Sequence, residues 1–272
     1  MTAPFSLAYL SASRLAPPDV VRVAAQTGYG FVGLRLLPAS PGGASCPLHT
    51  DAALLRATQA AMRDTGVGVF DLEIIRIGAV FDPAAYEAFF AAGQSLGARA
   101  VLVAGDDPDE ARLTANYAAL CQHAAAYGLT CDLEFMPWTS VKNGPAAMRV
   151  VGGAAQPNGR ILVDALHFAR SATTLADIAA IPRAWLGYAQ ICDAPAEIPT
   201  TDAGLIFTAR AERLLPGEGG IDLAGLWRQL PVDLPISVEI PSDSRIPVLD
   251  EMEWARQALA ASRAVLASIG RS

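Results

Sequence analysis

Residues 129–136, LTCDLEFM, form an apolar, β-rich run that carries one glutamate, Glu134, near its end. A carboxylate in such a strand is costly to desolvate unless it has a partner, a proton or a metal ion. Three later runs show the same pattern, and they are 160–168 (RILVDALHF), 188–193 (YAQICD) and 235–241 (PISVEIP). Four apolar strands that each end in an acid, an amide or an imidazole predict a divalent-metal site built from strand ends.

The rest of the chain alternates between apolar runs and helical segments with capping signals. The apolar runs predict strands, and these are 5–11, 31–37, 67–75, 98–104, 129–136, 160–168, 185–193 and 235–240. Proline or aspartate before a segment and glycine after it favour helices. The predicted helices are 17–26, 51–64, 82–97, 107–128, 143–156, 174–180, 222–230 and 248–266. Residues 194–220 are expected to form a long loop.

The strands are nearly continuous apolar runs, which is typical of a parallel sheet that is buried on both faces. Strands that alternate with helices indicate an α/β fold, and eight such units favour closure into a (β/α)8 TIM barrel. We therefore expect one barrel domain over residues 1–272. A doubly wound sheet is the alternative, but no GxGxxG motif follows an early strand to support a dinucleotide-binding version.

Composition excludes several classes of function. The chain has 20 basic and 27 acidic residues, a net charge of −7 and a single lysine, Lys142. Because phosphate backbones require a basic surface, no nucleic-acid partner is expected. The N-terminal sequence lacks the features of a signal peptide, no apolar run is long enough for a membrane helix, and the four cysteines form no CxxC pair. We expect a cytoplasmic protein with reduced thiols and no membrane partner.

The strand-end side chains are the candidates for chemistry, because barrel enzymes place their sites at the carboxyl ends of the strands. Neighbouring strands lie about 4.8 Å apart, so four strand-end oxygens can converge at one point. The four predicted metal ligands are Glu134, Asp164, Gln190 and Glu239. Three carboxylates this close repel each other unless a cation lies between them. An all-oxygen set favours Mg²⁺ or Mn²⁺ over a structural zinc.

Other polar and aromatic residues near the strand ends have two interpretations each. His167 reaches the barrel mouth only if its strand ends at about Leu166, and is otherwise a core or loop residue. Trp138 stacks on a sugar ring or packs against loops. Arg35 and Glu73 line the mouth or form a surface ion pair. Arg76 is a candidate for binding an anionic group, whereas no phosphate-binding loop follows the last strands.

The segments LEFMPW, ILVDALHF, AQICDA, RAERLLPGEGGIDL and ISVEIPSD together resemble the xylose isomerase-like TIM barrels, which include sugar phosphate isomerases and epimerases. The resemblance covers the second half of the chain and extends to the first half by architecture. It implies one divalent metal on Glu134, Asp164, Gln190 and Glu239. Many epimerases of this group carry histidine where this chain has Gln190, which weakens the transfer of any particular substrate.

The resemblance also implies substrate contacts. His167, three residues after the ligand Asp164, matches a substrate-binding histidine, and Arg213, which precedes the PGEG loop, matches a substrate-binding arginine. Arg210 lies close by in the sequence. Together with Trp138 and Asp193, these residues are the predicted substrate-binding set.

These residues predict a metal-dependent isomerase or epimerase that acts on a sugar or keto-polyol. Glu134 and Glu239 would exchange the proton next to a polarised carbonyl, and His167 and Arg213 would hold the developing oxyanion. We expect Mn²⁺ or Mg²⁺, with Zn²⁺ or Co²⁺ as alternatives. The other open interpretations are a dehydratase of the 3-dehydroshikimate dehydratase type, a non-catalytic sugar-binding barrel, and assembly as a homodimer.

Overall fold

The structure, a computed structural model, describes residues 4–271, so the first three residues and the last residue of the expected domain lie outside the described part. Eight parallel strands close into one barrel in which each strand pairs with its neighbours in chain order and β8 pairs with β1. The strands are β1 (Phe5–Leu7), β2 (Phe31–Arg35), β3 (Gly68–Ile77), β4 (Ala100–Gly105), β5 (Thr130–Glu134), β6 (Gly159–Asp164), β7 (Leu186–Ile191) and β8 (Ile236–Val238). The predicted (β/α)8 TIM barrel is confirmed.

Helices connect the strands and surround the barrel. They are α1 (Pro17–Thr27), α2 (Ala52–Thr65), α3 (Glu87–Ser95), α4 (Glu110–Ala125), α5 (Gly144–Ala154), α6 (Ala165–Arg170), α7 (Leu175–Ala179), α8 (Asp202–Ala211), α9 (Leu223–Gln229), α10 (Ile246–Leu249) and α11 (Glu251–Ser268). Short 3₁₀ turns occupy Tyr9–Ala12, Pro83–Tyr86 and Arg183–Trp185. Among residues 4–271, no helix combines the length and hydropathy that crossing a membrane would take.

Alternation along each strand divides its side chains between the helices and the barrel interior. In β5, Cys131 and Leu133 pack in the large core between barrel and helices. Successive residues of a strand point to opposite faces, so Asp132 and Glu134 point into the barrel. A smaller apolar cluster fills the interior, with Phe70, Ile74, Ala100, Leu102, Ala104, Met136, Leu162 and Tyr188 as its buried members. The interior therefore combines an apolar cluster with buried acids that lie on some of the same strands.

The predicted sixth strand is too long, because β6 ends at Asp164 and helix α6 begins immediately after it. The Asp164 side chain accepts a hydrogen bond from the backbone N–H of His167 at 2.9 Å, so Asp164 is the N-cap of α6. This turn returns His167 to the same end of the barrel as Asp164. The strand therefore ends before His167, which is the condition for this side chain to reach the mouth. It ends at Asp164, two residues before the predicted end at Leu166.

The predicted loop at 194–220 contains helix α8, so the expectation of a loop without helices was wrong. Thr201 caps the helix by accepting from the N–H of Gly204 at 3.2 Å. Only Ala209 of this helix is buried, and Phe207 is 59% exposed. Because α8 has no continuous apolar face, its sequence lacks the period that identifies a packed helix.

Candidate functional site

The four predicted ligands lie on consecutive strands, but not in one row of paired residues. Glu134 pairs with Leu162, two residues before Asp164, and Asp164 pairs directly with Gln190. Gln190 in turn pairs with Ser237, two residues before Glu239. An eight-stranded barrel of this type has a shear of about one residue per strand. These steps therefore follow the strand tilt and keep the four side chains at similar heights near the mouth.

Three side chains that could bind a metal ion lie close together. One carboxylate oxygen of Glu134, one of Asp164 and one ring nitrogen of His167 lie within 4.8 Å of one another, and all three residues are buried. Nε2 of His167 lies 3.5 Å from Oε1 of Glu134. This buried cluster of two acids and an imidazole has the composition and spacing of a metal site.

Arg213 joins the remaining acid to this cluster. Its guanidinium donates to Asp164 at 2.7 Å and lies 2.8 Å from the Glu239 carboxylate, and its Nε donates to the Ala209 carbonyl at 2.9 Å. The Arg213 residue is only 2% exposed. A buried charge needs compensation, and Arg213 supplies one positive charge against the three carboxylates of Glu134, Asp164 and Glu239.

Gln190 lies between these acids on β7 with unsatisfied polar atoms. Both its Oε1 and its Nε2 are buried and have no hydrogen-bond partner. Buried amides are normally satisfied, so an unpartnered one indicates a missing water or ion. The inner group of Glu134, Asp164, Glu239 and Arg213 has a formal charge of −2, which one divalent cation would balance. The donor set therefore fits a divalent cation.

Burial strongly perturbs the acids when no cation is present. Burial and then the charges of Asp164 and Glu239 raise the pKa of Glu134 well above its usual range. Burial raises the pKa of Glu239 to about 8, although Arg213 opposes the shift. Burial also acts to raise the pKa of Asp164, but Arg213 and His167 outweigh it and lower that pKa. Without added positive charge, Glu134 and Glu239 therefore favour their neutral forms, and a bound cation would favour the ionised forms that give the inner group its formal charge of −2.

Burial lowers the pKa of His167 to about 4, because Arg213 and Arg210 reinforce the effect of burial and Asp164 only partly opposes it. The imidazole is therefore neutral at physiological pH. Its Nδ1 is buried without a partner, and its ring packs edge-on against Trp138 with centroids 5.0 Å apart. His167 is thus a neutral, oriented group, suited to accept or donate a single hydrogen bond.

A cavity opens above the acids. It encloses about 410 Å³, including the space at its mouth, which suits a small-molecule ligand. The residues that line it are Leu10, Arg35, Ala39, Ile74, Arg76, Leu102, Glu134, Met136, Trp138, His167, Ala209, Arg210, Arg213 and Glu239. Asp164 and Gln190 are fully buried and lie outside this lining. Glu134 and Glu239 are thus the two predicted ligands that also face the cavity.

Arginines line another part of the same cavity. Arg35 donates twice to Glu73, at 2.6 and 3.0 Å, and packs over the Tyr9 ring at 4.5 Å. Arg76 forms an ion pair with Asp106. Arg35 thus lines the cavity, whereas Glu73 is its fully buried ion-pair partner and does not line the cavity. The pair is therefore not a surface ion pair.

Arg210 also lines the cavity and is placed there by helix α8. It forms no ion pair or side-chain hydrogen bond within residues 4–271. Burial lowers the pKa of its guanidinium, and the positive charges of Arg76 and Arg35 lower it further. Arg210 therefore lies in a partly desolvated and electropositive part of the cavity.

Asp193 is the one predicted substrate contact that the fold directs elsewhere. Its carboxylate accepts from the backbone N–H groups of Ala194, Gly217, Gly219 and Ile221 at 2.9–3.1 Å, and it does not line the cavity. With both oxygens occupied, Asp193 holds the PGEGG loop in place. Its arrangement supports an anchoring role and gives the predicted substrate contact no support.

A second layer of buried polar groups lies below the ligands and was missed as a group. Asp71 and Asp132 are fully buried, and the Tyr188 hydroxyl is buried without a partner. The carboxylates fit only because glycines face them: a Cβ on Gly33 would lie 2.9 Å from Asp71, and one on Gly187 would lie 1.5 Å from Asp132. Strand alternation identifies part of this layer, since Asp132 and Tyr188 each precede a predicted ligand by two residues.

Comparison with known proteins agrees with this architecture. Residues 21–265 match the family model of the xylose isomerase-like TIM barrel. No curated protein sequence matches the chain. Among solved structures, a xylose isomerase-like TIM barrel/4-hydroxyphenylpyruvate dioxygenase fusion protein is 22% identical, with a TM-score of 0.81. The match covers 99% of this chain and 43% of the fusion protein, so the chain spans less than half of that relative.

Two further structures of similar length share the fold. The IolI protein with a bound zinc atom is 15% identical with a TM-score of 0.78, over 99% of both chains. D-allulose 3-epimerase from Methylomonas sp. in complex with D-allulose is 17% identical with a TM-score of 0.70, over 97% of both chains. Identities this low establish a common fold and not a common substrate. With a family model that matches from residue 21 to residue 265, the chain belongs to the xylose isomerase-like TIM barrel family.

Proposed function

We propose that this protein is a divalent-metal-dependent isomerase or epimerase of a sugar or keto-polyol. The observation that carries the proposal is the inner group with its formal charge of −2, which lies below a cavity and includes the strand neighbour of Gln190, whose amide is buried without a partner. The presence of sugar epimerases among proteins of this fold is consistent with it. A zinc-bound neighbour is consistent with metal binding.

Glu134, Asp164, Gln190 and Glu239 would hold the cation, and its oxygen-rich donor set favours Mn²⁺ or Mg²⁺, with Zn²⁺ or Co²⁺ as alternatives. A bound cation would polarise the substrate carbonyl and so make the neighbouring C–H more acidic. His167 lies near enough to Glu134 to contribute a ligand or a hydrogen bond. The structure supports both roles for this imidazole.

Glu134 and Glu239 are the proposed proton-transfer groups, because both line the cavity and come from different strands. One of the two groups, as the carboxylate, removes the proton next to the carbonyl, and the other, as the carboxylic acid, donates its proton to the opposite face or to the adjacent carbon. Arg213 contacts Glu239 and lines the cavity, so it orients that carboxylate and can donate to a developing oxyanion. Trp138 offers a flat surface beside His167 for the substrate ring.

The direct test is hydrogen exchange in D₂O. Protein loaded with Mn²⁺ would be incubated with a panel of ketoses and cyclic keto-polyols, and deuterium at the carbon next to the carbonyl would be measured by mass spectrometry. We expect exchange by the wild type and a loss of about 10²–10⁴-fold in Glu134→Gln and Glu239→Gln. Loss of water from a substrate would instead identify the dehydratase alternative.

A matched control is Glu110→Gln, which changes an exposed glutamate paired with Arg149 and away from the cavity. This variant should exchange at the wild-type rate. The proposal fails if metal-loaded wild type exchanges no member of the panel, or if both cavity variants keep full activity.

A further inference from the structure

The arrangement of arginines in the cavity bears on the substrate, and the inference that follows rests on the proposed function. The overall charge of the chain is −7, so a surplus of positive charge inside one cavity is not a consequence of composition. Arg35, Arg76 and Arg210 all line the cavity that also contains Glu134 and Glu239. The cavity is therefore divided into an acidic floor and an arginine side.

The charges on the arginine side do not cancel. Glu73 neutralises Arg35 and Asp106 neutralises Arg76. Arg210 has no acidic partner within residues 4–271, which leaves one formal positive charge. Arg210 is half-buried, and its guanidinium lines the cavity with no hydrogen bond to a side chain in the described part of the chain. Its donors are therefore free to bind an anion that enters the cavity.

From this charge pattern we infer that the substrate is a hydroxy-ketone that carries a carboxylate, which the guanidinium of Arg210 binds. One unpaired arginine matches the single negative charge of a carboxylate, whereas a phosphate monoester carries −1.5 to −2 at neutral pH. The guanidinium also matches the two oxygens of a carboxylate in a bidentate geometry. The hydroxy-ketone end would then lie toward Glu134 and Glu239.

Arg35 and Arg76 have a supporting role in this inference. Their carboxylate partners hold their side chains, and their charges add to the positive potential around Arg210. Arg35 is further fixed by the ring of Tyr9. Arg35 and Arg76 are thus held in the lining of the same cavity by their own partners, and they do not form a second anion site.

The test compares three probes of similar size: D-fructose, 5-keto-D-gluconate and D-fructose 6-phosphate. Binding to the Mn²⁺-loaded protein would be measured by calorimetry and by the change in tryptophan fluorescence, to which Trp138 in the cavity lining contributes. We expect the carboxylate probe to bind at least about tenfold more tightly than the neutral ketose. Arg210→Gln should remove this preference, and Arg210→Lys should retain most of it.

Arg149→Gln is the matched control, because it removes an exposed arginine that pairs with Glu110 on the outer surface. It should bind all three probes as the wild type does. Equal binding of neutral and carboxylate probes, or an equal loss for both in Arg210→Gln, would overturn the inference. Preferential binding of D-fructose 6-phosphate would also overturn the inference, because the arginine side would then bind a dianion and not a carboxylate.

The same probes separate this inference from the proposed function. If the wild type exchanges D-fructose in D₂O as efficiently as 5-keto-D-gluconate, the proposed function stands and the carboxylate assignment fails. If no probe exchanges but the carboxylate probe binds selectively through Arg210, the proposed function fails and the assignment stands as a binding specificity.

Discussion

The acidic floor and the arginine side of the cavity carry opposite charge and are built in different ways. The floor takes its side chains from the ends of the consecutive strands β5 to β8, with α6 returning His167 to the same place. The arginine side takes Arg35 and Arg76 from β2 and β3 and Arg210 from helix α8. The pairing register of the strands determines where the side chains at the strand ends lie. The position of Arg210 depends instead on how helix α8 packs against the barrel.

Arg213 pairs with two acids of the floor, and its removal should have the largest effect. Arg213→Met leaves the buried Asp164 and Glu239 without their counter-ion, which should cost about 3–5 kcal/mol of unfolding free energy in metal-free protein. Urea unfolding at pH 7 measures it. Arg149→Met, which removes an exposed ion pair, should cost less than about 1 kcal/mol. Equal stability of the two variants would contradict the conclusion that Arg213 compensates the buried carboxylates of the floor.

Metal should stabilise the protein through the floor alone. At a free Mn²⁺ concentration of 100 times its dissociation constant, we expect about 2.7 kcal/mol of added stability, which a chelator removes. Asp164→Asn and Gln190→Leu should lose most of this gain, whereas Arg210→Gln should keep all of it. Bound metal measured by elemental analysis would accompany the unfolding curves. A gain that persists in Asp164→Asn would place the ion elsewhere.

The polar layer below the floor should make stability depend on pH. Burial, and then the charges of Glu73 and Glu239, raise the pKa of the Asp71 carboxyl well above its usual range. A raised pKa means that the folded protein binds more protons than the unfolded protein. The stability that Asp71 contributes is therefore fully present below about pH 4 and is lost as the pH rises through the pKa of the folded state. In that window the slope is up to about 1.4 kcal/mol per pH unit.

Asp71→Asn should therefore flatten the fall in unfolding free energy between pH 4 and neutral pH. The exposed Asp64→Asn should leave the wild-type profile unchanged. Urea unfolding of all three proteins across this range decides the matter, and parallel profiles for wild type and Asp71→Asn would count against a buried, protonated Asp71.

The smallest effect concerns the arginine side. Asp106→Asn releases Arg76 from a partly exposed ion pair and raises the formal charge of that side by one. Binding of 5-keto-D-gluconate should tighten by less than about fivefold, because ion pairs at this level of exposure contribute under about 1 kcal/mol. D-fructose binding should stay the same. Weaker binding of the carboxylate would show that Asp106 orients Arg76 for the ligand instead of competing with it.

Local patterns in the amino-acid sequence determined the barrel and the candidate ligands. Near-continuous apolar runs predicted eight buried parallel strands, and a polar residue at the end of each late strand predicted Glu134, Asp164, Gln190 and Glu239 as neighbours. Both inferences need only strand alternation and the geometry of a closed sheet, which act over a few residues. The bounds of β6 were wrong because Asp164 could be read as a strand residue or as a helix cap.

Only the tertiary structure decided how the charges balance. The burial of Arg213 between Asp164 and Glu239, the use of Asp193 to hold a loop, and the docking of α8 with Arg210 at the cavity all depend on contacts between residues far apart in the chain. The sequence of helix α8 shows no apolar period that would predict it. The pairing of charged side chains depends on contacts that form only when the chain folds. The sequence therefore indicates which residues can do chemistry, and the fold determines which of them are left without a counter-charge.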